Sequence, residues 1–96
     1  MCASLIASAQ TNYRTNGTGG GDWNNPATWE IFNGSSWVSA VTFPTSADGT
    51  IQIRANDVVN VTASVSINQT TIDANGTIRL VGGTLTTAAA SDLIVN

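Results

Sequence analysis

The second half of the chain alternates apolar and polar residues in short runs that repeat about every nineteen positions. Val59 is followed nineteen residues later by Ile78, and Ile53 by Ile72. A period near twenty, built from β-branched runs between Gly and Asn, is typical of a β-solenoid in which each coil contains several strands. The pattern therefore predicts an all-β fold, a parallel β-solenoid of about two to three coils.

Strands are predicted at residues 50–54, 58–62, 64–68, 70–73, 77–81, 84–86 and 92–95. With three strands in a coil, the first coil covers residues 50–68 and the second covers residues 69–87, and a third begins after a corner at residues 88–90. Apolar side chains one period apart, such as Val61 and Leu80, are expected to stack inside. An antiparallel meander or a small sandwich would use the same strands and remains an alternative.

Residues 22–49 are predicted to form a capping hairpin segment in front of the coils at residues 50–96. The four residues 33–36 separate two apolar runs and include an Asn-Gly pair, which favours a hairpin turn. A four-residue loop sets Phe32 opposite Trp37 and Ile31 opposite Val38, so that apolar residues face each other. Pro44 then interrupts the pairing, because proline cannot donate to a strand ladder.

Two segments are predicted to precede the folded part. Residues 10–21 contain four glycines and few apolar residues, which predicts a flexible Gly-rich leader, with order beginning at Asp22. Residues 1–9 resemble the tail of a secretory signal peptide, because Ala7-Ser8-Ala9 is a small-residue cleavage pattern after an apolar stretch. An ordinary disordered terminus is the alternative. The expected location is secreted or at the cell surface, and cleavage would remove Cys2, the only cysteine.

The charged residues exclude several functions. Three arginines stand against six acidic residues, without lysine or histidine, so the chain lacks a Ser-His-Asp triad, a Schiff-base lysine and a histidine zinc site. This composition predicts a non-enzyme without cofactors, and it disfavours nucleic acid and membrane insertion. Calcium at the corner of residues 73–76 is an alternative to this absence of cofactors, since carboxylates and carbonyls are its preferred ligands. Arg54 and Arg79 are expected to be solvated flanks of the strands.

The predicted strand ends hold four aspartates, and the opening segment holds three tryptophans. We expect the aspartates to serve turns, because each lies within two residues of Gly, Asn or Ser: Asp48, Asp57, Asp73 and Asp92. Trp23, Trp29 and Trp37 either cover the end of the coils or stack on sugar rings. The candidate carbohydrate-binding residues are Trp23 and Trp37, and Trp23 is expected to be the most exposed because it precedes the hairpin.

Four features of the sequence carry a family resemblance: the stretch at residues 23–29, the segment ending in Trp37, Pro44, and the later Ile-x-Ile and Val-x-Val runs. Together they resemble the N-terminal region of large secreted bacterial surface proteins, especially those of Bacteroidetes. More loosely, the opening resembles G8-type modules. The resemblance covers roughly residues 22–96 and implies a right-handed parallel β-helix of the pectin-lyase-like class, whose opening segment lies over the first coil. It also implies adhesive, structural or carbohydrate-directed roles.

Two functions follow as expectations. The first is a non-catalytic extracellular structural or adhesin-like module, the capped N-terminal end of a β-solenoid surface protein. Its partners would be further coils of a larger parent chain, or a second copy added at the C-terminal edge of residues 92–96. The alternative is a carbohydrate-binding module, or the front part of a polysaccharide-degrading enzyme, with extracellular glycans as partners.

Overall fold

The computed structural model describes residues 10–87 and 92–96, which form short β-strands and a 3-10 turn at Pro26–Thr28. The strands are β1 (Tyr13–Thr15), β2 (Gly20–Asp22), β3 (Trp29–Phe32), β4 (Trp37–Ser39), β5 (Ile51–Ile53), β6 (Val58–Val61), β7 (Val65–Ile67), β8 (Thr70–Ile72), β9 (Thr77–Leu80), β10 (Leu85–Thr87) and β11 (Leu93–Val95). The predictions for residues 1–9 and for the corner at residues 88–90 lie outside the described residues.

The strands form three sheets. A six-stranded mixed sheet has the order β11-β8-β5-β1-β3-β4, a three-stranded sheet has the order β2-β6-β9, and β7 pairs with β10. Within the described ranges no sheet closes on itself. The predicted all-β class is confirmed, and each of the seven strands predicted after residue 50 has a counterpart.

Strands one sequence repeat apart lie side by side in parallel. Val59 pairs with Ile78 in β6 and β9, and Ile53 pairs with Ile72 in β5 and β8. Parallel neighbours need a crossover connection, and here β6 and β7 supply it between β5 and β8. An antiparallel meander does not describe these strands.

The segment before the hairpin belongs to the same sheets, which corrects the prediction of a flexible leader at residues 10–21. Tyr13 pairs in parallel with Ile51, and Gly20 pairs in parallel with Val58. Both separations are 38 residues, twice the later repeat. The hairpin therefore adds one extra repeat length of chain between β1 and β5 and between β2 and β6. The glycine at position 20 permits close strand packing and does not indicate disorder. Gly20 approaches Val58 so closely that a Cβ would lie 1.9 Å from the carbonyl oxygen of Val58.

The hairpin has the predicted register. Phe32 lies opposite Trp37 and Ile31 opposite Val38. The Asn33 side-chain oxygen accepts hydrogen bonds from the backbone N–H groups of Ser35 and Ser36, both at 2.9 Å, which holds the four-residue loop. The hairpin extends the six-stranded sheet, because β3 pairs antiparallel with β1.

The core contains the inward residues of the parallel strands together with aromatic residues from the opening segment. Its buried apolar members are Tyr13, Trp23, Trp29, Ile51, Ile53, Val59, Val61, Ile67 and Ile72. Leu80 was expected inside but is 60% exposed. It lies in β9, the edge strand of the three-stranded sheet, so no neighbouring strand among the described residues covers it. Ile78, in the same strand, is half-buried.

Candidate functional site

One face of the six-stranded sheet gathers aromatic and charged side chains. Arg14 lies opposite Glu30, and Phe32 lies opposite Trp37. Directly paired residues project to the same side of a sheet, and so do residues two apart on a strand, such as Glu30 and Phe32. Arg54 extends this set, because its guanidinium reaches Glu30. We call these five residues, Arg14, Glu30, Phe32, Trp37 and Arg54, the platform.

The Trp37 ring contacts two neighbours. Its centroid lies 5.4 Å from that of the Phe32 ring, and the guanidinium carbon of Arg14 lies 4.4 Å from the Trp37 ring centroid. The second distance is within the range of a cation–π contact. Trp37 is half-buried and Phe32 is 40% exposed, so aromatic surface remains in contact with solvent.

Glu30 joins the two arginines of the platform. Its carboxylate accepts from Arg14 Nε at 2.8 Å and lies 3.5 Å from Arg54 Nη2. Arg54 Nε also donates to the backbone carbonyl of Thr15 at 2.8 Å. All three charged side chains are between a quarter and a third exposed. The prediction that Arg54 is a solvated flank is therefore wrong, whereas Arg79 is exposed as expected.

Trp23 is not on the platform, and the prediction that it is the most exposed tryptophan is wrong. It is 1% exposed and donates its indole N–H to the carbonyl of Pro44 at 2.8 Å. Its ring packs at 67° against that of Trp29, with centroids 4.8 Å apart. Burial leaves Trp23 no free face on which a sugar could stack, so of the two candidate carbohydrate-binding residues only Trp37 remains available.

Two cavities border these aromatic residues. The first has a volume of about 160 Å³ and lies between Trp23, Phe43 and the turn at residues 62–65. This volume is below the 300 Å³ or so of typical ligand pockets. The second is a shallower groove of about 430 Å³ beside Phe32 and the hairpin loop. It adjoins the platform, because Phe32 belongs to both.

The aspartates serve the backbone and a neighbouring amide. Asp57 accepts from the N–H groups of Gly17 and Gly19, and Asp48 accepts from the N–H of Thr45. Asp73, at the corner considered for calcium, accepts from the side-chain amide of Gln52 at 2.8 Å. Within residues 10–87 and 92–96, no group of three or more metal-ligating side chains is found.

Sequence reasoning missed Arg14 and Glu30 as site residues. Their pairing depends on β1, which the glycine-rich composition concealed, and on a 38-residue interval that breaks the nineteen-residue period. The hairpin register already placed Glu30 on the same side as Trp37, and this was the one signal available from sequence.

Among the described residues no helix is long and apolar enough to cross a membrane. Comparison with known proteins finds no matching family model, no matching curated protein and no matching solved structure. The functional argument therefore depends on the geometry of the sheets and of the platform.

Proposed function

We propose that the chain is a non-catalytic structural or adhesin-like module of a secreted or cell-surface protein, forming the capped end of a right-handed parallel β-solenoid. The observation that carries the proposal is the common register of the parallel strands, with nineteen residues between β5 and β8 and between β6 and β9. The right-handed winding follows from the strong preference for right-handed crossovers between parallel strands of one sheet.

The front end of this proposed solenoid is covered by the hairpin and by aromatic side chains, whereas the rear end is exposed. At the front, the hairpin continues the sheet beyond β1, and Trp23 and Trp29 are buried against the first strands. At the rear, β9, β10 and β11 are the outermost strands of their sheets. Apolar side chains are exposed there, including Leu80, Ile94 and Val95. Edge strands that carry exposed apolar residues favour addition of another strand.

The proposed role is therefore mechanical. The rear edges are the surface on which further coils, or a second copy of the chain, would continue the parallel pairing. Repeat proteins bury their hydrophobic face only by stacking repeats, so a stack of this length is expected to gain stability from such an addition.

Static light scattering of the purified chain over a concentration series tests the proposal. We expect association that increases with concentration and weakens in Leu80→Lys and Val95→Lys, because a charge on an edge strand opposes strand addition. Val41→Lys is the matched control, since Val41 is also exposed but lies outside the strands. A high-melting monomer at all concentrations would contradict the proposal, as would equal effects of all three variants.

A second candidate function, carbohydrate binding, is supported by the platform. Sugar rings stack their C–H faces on aromatic side chains, and neighbouring charged groups bond the hydroxyls. Arg14 lies over the Trp37 ring, so the aromatic surface is provided by Phe32 and by the part of Trp37 that Arg14 leaves uncovered, and Glu30 lies beside them on the same face.

Calorimetric titration with a panel of soluble polysaccharides tests this second candidate. We expect Trp37→Ala to abolish binding, whereas Val38→Ala should leave it unchanged, because Val38 is on the same strand and projects from the opposite side of the sheet. If no polysaccharide binds, or if both variants bind like the parent chain, the carbohydrate-binding proposal fails.

A further inference from the structure

The platform holds most of the positive charge of an acidic protein. The chain has three arginines and no lysine, with a net charge of −3, yet two of the arginines meet at Glu30. Within the platform two guanidinium groups therefore face one carboxylate, and the neighbouring carboxylate of Asp73 is hydrogen-bonded to the side-chain amide of Gln52, the residue that pairs with Arg14. Such a patch attracts anions even when the rest of the surface does not.

Several hydrogen-bond donors of this patch remain available. Arg14 uses Nε for Glu30, and among the described residues its two terminal nitrogens have no hydrogen-bond partner. Arg54 uses Nε for Thr15 and Nη2 for Glu30, and its Nη1 has no hydrogen-bond partner within residues 10–87 and 92–96. Terminal guanidinium nitrogens are suited to a carboxylate or sulfate, which accepts two parallel hydrogen bonds.

These donors are held in place before any ligand arrives. Arg14 is fixed by its contact with the Trp37 ring and by its hydrogen bond to Glu30. Arg54 is fixed at its backbone N–H by the Thr15 hydroxyl and at Nε by the Thr15 carbonyl. Prior positioning lowers the entropic cost of binding, and for this reason the arginines are suited to recognition as well as to the stability of the sheet.

We propose that the platform binds acidic glycans, with Arg14 and Arg54 bonding a carboxylate or sulfate group and Trp37 with Phe32 contacting the sugar ring. This inference rests on the carbohydrate-binding candidate and adds its chemical class. A sugar fits better than a free anion because the aromatic surface lies next to the guanidinium of Arg14. Nucleic acid is disfavoured as the ligand, because the whole sequence contains only three cationic side chains that could bind a phosphate backbone.

Calorimetric titration of the full chain with dextran, dextran sulfate and alginate tests the inference. Dextran and dextran sulfate share one backbone, so their comparison isolates the anionic group, and alginate distinguishes carboxylate from sulfate. We expect binding of at least one anionic polymer and at least about tenfold weaker binding of dextran, which is the scale of one lost charge-assisted hydrogen bond. Equal binding of dextran and dextran sulfate, together with no preference for alginate, would overturn the acidic class but leave the carbohydrate-binding candidate intact.

Substitution of each arginine locates the binding surface. Arg14→Gln and Arg54→Gln should each weaken binding of the anionic polymer by about tenfold. Arg79→Gln removes the same charge from an exposed position on another sheet and should change the affinity by less than about twofold. Equal losses in all three variants would overturn the inference, because they would indicate attraction by net charge alone. Arg14→Lys is expected to recover only part of the affinity, since an ammonium lacks the two parallel donors.

A single-stranded oligonucleotide of matched charge completes the experiment. It combines phosphates with bases that stack on aromatic rings, so the arginine and aromatic side chains of the platform are also suited to bind it. Binding of the oligonucleotide at least as tight as that of dextran sulfate and alginate would overturn the glycan assignment. Unchanged circular dichroism of the arginine variants is expected, because none of the three arginines is buried.

Discussion

Trp29 donates its indole N–H to the backbone carbonyl of Trp23 at 2.8 Å, while the two rings pack edge to face. Trp23 in turn donates its own indole N–H to the carbonyl of Pro44. This chain of two hydrogen bonds joins three separate segments: the turn after β2, the start of β3, and the connection from β4 to β5. It explains how an inserted hairpin is fixed to the parallel strands without disrupting their register.

Removal of the Trp23 ring should therefore be among the most damaging substitutions in the chain. Trp23→Ala should lower the free energy of unfolding by about 3–5 kcal/mol, because it leaves a cavity in the core and removes the donor to Pro44. Trp37→Ala is the control and should cost about 1–2 kcal/mol, since that ring is only half-buried. Urea unfolding followed by circular dichroism measures both. Equal costs would show that Trp23 is not a core residue.

The close approach of β2 to β6 leads to a prediction about Gly20. This residue has φ of 97°, and a Cβ there would lie 1.9 Å from the carbonyl oxygen of Val58. Gly20→Ala should cost about 3 kcal/mol or more, because steric overlap adds to an unfavourable backbone conformation. Gly34→Ala is the matched control. Its φ is 101° but nothing lies within 4 Å, so only the conformational cost of about 1–2 kcal/mol applies.

Thermal unfolding of the two glycine variants distinguishes the effects of space and of conformation. If Gly20→Ala is no more damaging than Gly34→Ala, β2 does not pair closely with β6. This result would support the original expectation of a flexible leader and would contradict the register of Gly20 opposite Val58.

The parallel register was predictable from sequence because buried strands one coil apart carry the same inward pattern. Ile53 and Ile72 show it directly. The hairpin register was predictable for a related reason, since only the four-residue loop sets Phe32 opposite Trp37. In both cases a local apolar pattern determines which residues meet.

The first strands were not predictable by the same reasoning. In β2, glycine occupies two of the three positions, so it has no apolar alternation, and its stability depends on backbone bonds to β6. The platform was missed with it, because Arg14 meets Glu30 only once β1 is in place. Trp23 was misjudged because sequence position does not reveal Pro44 as a buried acceptor.

A hydroxyl pair connects β1 to the segment after the hairpin. The Tyr13 hydroxyl and the Thr42 hydroxyl lie 2.8 Å apart. A double-mutant cycle with Tyr13→Phe and Thr42→Val should give a coupling energy of about 0.5–1.5 kcal/mol, the usual net value of one hydrogen bond. Urea unfolding of the four proteins gives this energy. Purely additive losses would mean that the two hydroxyls bond water in solution.

Asp57 connects the glycine-rich turn before β2 to the corner before β6. Its side chain is 1% exposed, and its two carboxylate oxygens accept from Gly17 N–H at 3.1 Å and from Gly19 N–H at 2.9 Å. Asp57→Asn keeps the shape but replaces one acceptor by a donor, which then faces another donor. We expect a loss of about 1–3 kcal/mol, because a buried N–H group is left without a partner.

Hydrogen exchange gives a more local readout of the same substitution. The amides of Gly17 and Gly19 should exchange faster in Asp57→Asn, while the amide of Asp73, which donates to the carbonyl of Ile53, should retain its protection. Asp73→Asn is the control. In the part of the chain that the structure describes, its carboxylate accepts from the Gln52 side chain alone, so its loss should cost less than about 1 kcal/mol. Unchanged exchange at both glycine amides in Asp57→Asn would mean that the carboxylate does not hold this turn, and that pairing of β2 with β6 suffices to order it.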